Sequence, residues 1–199
     1  MRFDKLNQLK KAVIDEAQVV ETMLQQTLKC LSEERGEYGK TVEDMEEQVN
    51  QMEVDIEALG TICLALYQPE AKTLRTILMI IKINNELERM GDLIVKMLES
   101  VHYLHNNPPI RLQGKLEEIG RMTIQMLRDS ITAFLHEDSE LAQEVCKRDD
   151  VVDEKHKSIF LELISLSEES NLPLEIALNI NRISKNLERI ADLSTNVAE

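Results

Sequence analysis

Two pairs of acidic residues, each spaced four positions apart, are the side chains of this sequence best suited to bind a cation. Glu88 and Asp92 form the first pair, and Glu188 and Asp192 form the second pair exactly 100 positions later. A spacing of four places both carboxylates of a pair on one face of a helix, where their like charges disfavour the helix by a few tenths of a kcal/mol. One such pair would be interpreted as a solvated charged face, whereas the repetition keeps a cation site open beside that interpretation.

A second set of oxygen donors with the same spacing precedes each pair. Asp149 and Asp153 precede the second pair, and Glu46 and Asn50 precede the first. If the helices that carry them run side by side, four oxygen donors in each half would hold a hard cation or a small oxo-bridged cluster. Asn50 is uncharged, so we expect weaker metal binding in the first half. His156 follows Asp153 by three positions and could reach the same site, although a satisfied core histidine is the more ordinary interpretation.

No motif for nucleophilic catalysis accompanies these carboxylates. The sequence contains no G-x-S-x-G, no Gly-rich phosphate loop and no H-E-x-x-H. Neither Glu88 nor Glu188 has a histidine three positions later, which ferritin-type di-iron proteins require. We therefore expect a protein that is not an enzyme. A metal-dependent phosphohydrolase stays open as an alternative, because clustered carboxylates can hold a di-metal centre that activates water.

The composition predicts an all-α protein built from long amphipathic helices. Of 199 residues, 30% are charged and only 3% are aromatic, with six glycines and four prolines in the whole chain. Glycines 36 and 39, prolines 69, 108, 109 and 173, and a weaker break near residue 137 separate the helical patterns. The six predicted segments are 3–34, 41–66, 69–104, 112–135, 139–167 and 173–199.

The sequence also repeats itself. Residues 85–93 (NELERMGDL) match residues 185–193 (KNLERIADL), and in both halves the segment with this motif begins at a proline. The linker 106–109 divides the chain almost in half. These features predict two three-helix bundles related by internal duplication and a pseudo-twofold axis, with one repeat at 1–106 and the other at 107–199. In the second segment, apolar residues recur every three or four positions from Val42 to Leu66.

The charge and the termini restrict partners and location. With 23 basic and 37 acidic residues, the formal charge of -14 repels phosphate backbones, so we expect no direct binding of nucleic acid. Three scattered cysteines are typical of reduced core residues. No apolar run approaches the roughly 20 residues of a transmembrane helix, and the N-terminus lacks a signal-peptide pattern. We expect a cytoplasmic protein.

Several stretches, taken in order, resemble the PhoU family. Residues 87–92 (LERMGD) and 187–192 (LERIAD) resemble its duplicated E-R-I-G-D motif. Further likenesses lie at 68–75 (QPEAKTLR, similar to Q-P-x-x-x-D-L-R), at 116–120 and 126–130 (its fourth helix), and at 196–199 (NVAE, similar to N-I-A-E). The chain departs from the family at Asn50, at Thr73, where the family often has Asp, and in stopping directly after the second motif.

The resemblance implies a cytoplasmic regulator, usually negative, of phosphate uptake and phosphate-regulon signalling. Its implied partners are the phosphate ABC transporter, the phosphate-sensing histidine kinase and a second copy of the chain in a homodimer. In the family, E/D-x-x-x-D pairs can carry multinuclear iron or zinc clusters. Matched residue by residue, these pairs fall on Glu46, Asn50, Glu88 and Asp92 in the first half and on Asp149, Asp153, Glu188 and Asp192 in the second.

The residues leave other functions and metals open. A similar domain is fused to sodium–phosphate cotransporters, so the chain could be the cytoplasmic domain of such a protein. A helical adaptor without metal is a further alternative, and in that case the paired acids only form a charged face. Oxygen ligands also accept manganese, magnesium or calcium, so the ligand set alone does not select iron or zinc.

Overall fold

The computed structural model describes residues 2–32, 37–105, 112–170 and 172–199. These residues form six α-helices and, within those ranges, no strand, which confirms the all-α prediction. The helices are α1 (Arg2–Ser32), α2 (Glu37–Tyr67), α3 (Ala71–His105), α4 (Gln113–His136), α5 (Ser139–Ser170) and α6 (Leu174–Ala198). The predicted linker at 106–109 lies outside the described residues, so the domain boundary there stays a prediction.

The helices pack as two bundles of three. Helices α1, α2 and α3 all contact one another, and so do α4, α5 and α6. The two bundles meet through α3 against α6 and α1 against α4. Both of these contacts join equivalent helices of the two halves, as a pseudo-twofold relation requires. None of the described helices carries an apolar stretch long enough to cross a lipid bilayer.

The junction between α4 and α5 is closed by local hydrogen bonds. Glu137 adopts the left-handed conformation with φ of 54°, and its backbone N–H donates to carbonyl groups of the last turn of α4. The side chain of Asp138 then accepts the backbone N–H groups of Glu140 and Leu141, which caps α5. The weak break that the sequence predicts near residue 137 is therefore a sharp turn between two capped helices.

Helix α2 differs from the sequence prediction in where it begins and in the burial of Leu66. The helix begins at Glu37 rather than at residue 41 and passes through Gly39. A glycine costs a helix about 1 kcal/mol relative to alanine, a cost that packing of α2 against two neighbours outweighs. At the other end, Leu66 continues the apolar periodicity but is 70% exposed, so the apolar stripe extends beyond the packed part of the helix. Periodicity shows which face of a helix is apolar and does not show where the neighbouring helices stop.

The core positions of the two halves correspond at constant offsets. Buried residues of α2 recur 103 positions later in α5, and buried residues of α1 recur 107 positions later in α4. The corresponding pairs are Val42 and Val145, Val49 and Val152, Ile56 and Ile159, Leu9 and Leu116, Val20 and Leu127, and Leu24 and Ile131. With the offset of 100 between α3 and α6, this register assigns every functional residue of one half an equivalent in the other.

Candidate metal centre

Three carboxylates converge where α5 packs against α6 in the second half. One oxygen from each of Asp149, Asp153 and Asp192 lies within 4.8 Å of the other two. Within the described ranges, no other group of three histidine, cysteine, aspartate or glutamate side chains is as close. Asp149 and Asp153 stand one turn apart on α5, and the adjacent helix supplies Asp192, which is the geometry that the repeated spacing suggested.

The cluster is electrostatically strained when no cation neutralises it. Burial, together with the neighbouring charges of Asp192, Asp153 and Glu188, raises the pKa of Asp149 to about 6. Burial also raises the pKa of Asp192, with Glu188 and Asp153 acting in the same direction. The neighbouring negative charges therefore oppose the ionisation of Asp149 and Asp192, and a bound cation would relieve that repulsion.

Two carboxylate oxygens of the cluster are buried without a hydrogen-bond partner. Glu188 is only 9% exposed, and its Oε1 accepts a hydrogen bond from Lys185, whereas its Oε2 is buried without a hydrogen-bond partner. Oδ1 of Asp149 is likewise buried and unpartnered. An unsatisfied buried acceptor costs about 1–3 kcal/mol. Four carboxylates, two of them with orphaned oxygens, fit a cation or cluster that prefers oxygen ligands.

The corresponding residues of the first half are engaged differently. Nδ2 of Asn50 donates to Oε1 of Glu46 at 2.7 Å, and Nζ of Lys96 lies 3.1 Å from Oδ2 of Asp92. Burial raises the pKa of Glu88, followed by the charges of Asp92 and Glu53. The described acids of this half do not form a group as tight as the one on α5 and α6. This geometry favours weaker metal binding by the first-half set of Glu46, Asn50, Glu88 and Asp92. Metal binding at that set stays a prediction.

His156 lies beside the second-half cluster but has a partner of its own. The ring Nδ1 is 2.7 Å from Oγ of Ser184. Burial lowers the histidine pKa, whereas the charge of Glu188 raises it. The half-buried ring is thus held by a serine of α6, as expected for a core histidine with a satisfied hydrogen bond. It also lies near the carboxylate of Glu188 in the cluster.

An open cleft of about 380 Å³ lies between α3 of the first repeat and α6 of the second repeat. Asp92 and Asp192 both line it, and so do Arg89 and Arg189. Nη1 of Arg89 binds Oε2 of Glu86 on its own helix at 2.9 Å, so this arginine does not bridge to the neighbouring acidic pair. The carboxylates that face the cleft are accessible from its solvent side.

A buried acid on α1 was not among the residues predicted from the sequence. Glu16 on α1 is fully buried, and neither of its carboxylate oxygens has a hydrogen-bond partner. Burial, together with the charges of Glu53 and Glu88, raises its pKa to about 9. The sequence does indicate that Glu16 is buried, because it lies on the apolar face of α1 between Val13 and Val20. Only the packing of α2 and α3 around it reveals the other two acids.

Comparisons with known proteins show similarity to the PhoU domain over most of the chain. The sequence profile of the PhoU domain matches residues 13–101 and 116–199. A PhoU homologue from Aquifex aeolicus, named a phosphate-specific transport system accessory protein, is 32% identical over 187 residues, which cover 94% of this chain and 85% of the relative. The accessory protein PhoU of Escherichia coli is 29% identical, with 98% and 81% covered.

A solved structure supports the same grouping. The crystal structure of PhoU from Pseudomonas aeruginosa aligns with a TM-score of 0.95 at 28% sequence identity. The alignment covers 100% of this chain and 95% of the crystallised one. The similarity therefore extends through all six helices.

Proposed function

The chain belongs to the PhoU family, and from this premise we propose that it regulates phosphate uptake as an accessory protein of the phosphate transport system. The observation that carries the proposal is the match of both halves to the PhoU domain, at residues 13–101 and 116–199. Its relatives are named accessory proteins rather than enzymes, so the chain is not an enzyme and the phosphohydrolase alternative is set aside. The same names favour a transporter accessory over a cotransporter domain.

The finer part of the proposal concerns partners and location. We assign the protein to the cytoplasm, where it acts on the phosphate ABC transporter and on the phosphate-sensing histidine kinase, and usually represses uptake and signalling. The net charge of -14 supports basic protein surfaces as its partners. A homodimer is the expected oligomer, which light scattering of the purified protein would measure directly.

The second-half carboxylates are the proposed metal centre of this regulator. Asp149, Asp153, Glu188 and Asp192 would hold an iron or zinc cluster, with Glu46, Asn50, Glu88 and Asp92 as a weaker counterpart. When bound, the metal would neutralise the clustered charge. The protein's own contribution is to hold α5 against α6 so that the three converging oxygens, within 4.8 Å of one another, face the same point. Occupancy could thereby alter the surface that partners contact.

A complementation experiment tests the regulatory function. In a host that lacks its own PhoU protein, alkaline phosphatase is measured in phosphate-rich medium with and without this chain. We expect the chain to restore repression and the triple variant Asp149→Asn, Asp153→Asn, Asp192→Asn to restore less of it. Glu154→Gln, at an exposed acid of the same helix, serves as the matched control. Full derepression despite stable expression of the wild-type chain would count against the proposal.

Elemental analysis tests the metal centre separately. The protein is purified without chelator and without nickel affinity resin. We expect more than one iron or zinc per chain in the wild type and a loss of most of it in the triple variant. Equal metal content in the wild type and the triple variant would remove the cluster from the proposal and leave the family assignment standing.

A further inference from the structure

The first bundle contains a group of oxygen donors that lies deeper than the surface pairs. Glu16 on α1 is fully buried, with both carboxylate oxygens unpartnered. Its electrostatic neighbours are Glu53 on α2 and Glu88 on α3, so each helix of the bundle contributes one carboxylate. Among the described side chains, no positively charged group offsets the effect of Glu53 and Glu88 on Glu16.

A second buried oxygen lies next to this group. Asn84 is fully buried one turn before Glu88 on α3. Its Nδ2 donates to the backbone carbonyl of Glu53 at 3.1 Å, which places the amide against the backbone of α2 at the residue that carries the second carboxylate. Its Oδ1 is buried without a hydrogen-bond partner. Amide and carboxylate oxygens are the ligands that hard divalent cations prefer.

The internal duplication shows that this group is specific to the first half. In the repeat register, Glu16 corresponds to Thr123, whose Oγ1 donates to the carbonyl of Ile119 at 3.0 Å. Glu53 corresponds to His156, which is partnered by Ser184. At these two positions the second half satisfies its polar groups, whereas Glu16 and Asn84 of the first half leave three acceptor oxygens buried and unpaired.

We propose that Glu16, Glu53, Asn84 and Glu88 form an interior site for a hard divalent cation in the first three-helix bundle. The first-half carboxylates are not within 4.8 Å of one another, so the cation would draw Glu53 and Glu88 inward toward the fixed oxygens of Glu16 and Asn84. Both glutamates are only half-buried and have room to turn. The site differs from the predicted surface set of the same half, with which it shares only Glu88.

Manganese(II) binding in a simplified background tests the proposal. The triple variant Asp149→Asn, Asp153→Asn, Asp192→Asn removes the second-half cluster, and calorimetric titration with Mn²⁺ then reports on the first half. We expect one bound Mn²⁺ per chain in this background. Adding Glu16→Gln should weaken binding by at least about tenfold, since even residues outside the first ligand shell are worth 10–100-fold in metal affinity. Adding Glu47→Gln, at an exposed acid of α2, should change little.

Two further variants decide between sites and guard against misfolding. Asp92 belongs to the surface set and is not a proposed ligand of the interior site, so a greater loss of Mn²⁺ affinity in Asp92→Asn than in Glu16→Gln would overturn the interior site. Absence of Mn²⁺ binding in the background would overturn it as well. If Glu16→Gln does not fold, Glu53→Gln replaces it with the same expected loss. Because the second-half cluster is absent throughout, failure here is separate from failure of the proposed function.

Discussion

Replacing Glu16 with glutamine should remove a pH-dependent loss of stability from the metal-free protein. The folded chain raises the pKa of this carboxyl from 4.5 to about 9, mainly through burial. Between those pH values the folded chain keeps a proton that the unfolded chain has lost. Stability therefore falls as pH rises, by about 1.4 kcal/mol per pH unit for this one group.

The expected size of the effect follows from that slope. Between pH 5 and pH 7.5, the wild type should lose about 3 kcal/mol that Glu16→Gln retains. For a chain of this size, 1 kcal/mol corresponds to roughly 2–4 °C in melting temperature. The variant should thus melt close to the wild type at pH 5 and roughly 6–12 °C above it at pH 7.5. Glutamine keeps the shape of the buried carboxylic acid, so packing changes little.

Circular dichroism melts in the presence of EDTA provide the assay. The measured quantity is the difference in melting temperature between Glu16→Gln and the wild type at each pH, so titrations common to both proteins cancel. Glu57→Gln, which changes an exposed acid on α2, should show no such pH-dependent difference. A constant difference across the pH range would refute the assignment of Glu16 as a buried, protonated acid.

Three further substitutions test other parts of the structure. Asp149→Asn should raise the melting temperature at pH 7.5 in EDTA, because it relieves repulsion within the cluster, and should lower bound metal measured by elemental analysis. Gly91→Ala should stabilise the chain by about 0.5–1 kcal/mol in urea unfolding, because the added Cβ would lie 3.6 Å from Cγ1 of Val49, an ordinary contact. Arg148→Ala should cost about 1 kcal/mol by losing the 2.6 Å ion pair with Asp129 between α5 and α4, and a double-mutant cycle without coupling would contradict this.

The second-half cluster could be predicted from spacing because helix geometry fixes it. Residues four apart share a face, so Asp149 and Asp153 had to point the same way, and a repeated motif indicated that Asp192 faces them. What spacing does not supply is the axial register between neighbouring helices. That register decides how closely Glu46 and Asn50 approach the pair on α3, and it depends on tertiary packing.

Glu16 illustrates a different limit of sequence reasoning. Its position on the apolar face of α1 is visible in the sequence, and such positions are ordinarily occupied by apolar residues. Whether a charged residue there finds a partner depends on side chains more than 30 positions away, at Glu53 and Glu88. The helical period of a single segment contains no information on those neighbours, so the unpartnered carboxyl emerges only from the packed bundle.

The two proposed roles of Glu16 make opposite demands, and this opposition is the strongest test of the interior site. Without metal, the fold must keep this buried carboxyl group protonated, which costs stability at neutral pH, so Glu16→Gln should stabilise the fold there. With Mn²⁺ bound, the same carboxylate is a ligand, so the wild type should gain more in melting temperature from added Mn²⁺ than the variant does. A change in packing alone would shift both measurements equally. Thr123, the equivalent residue in the second half, bonds within its own helix, so that half has no buried acid at this position. Its carboxylate cluster is removed from both proteins by the triple variant Asp149→Asn, Asp153→Asn, Asp192→Asn, so the difference in response to Mn²⁺ reports on the first half.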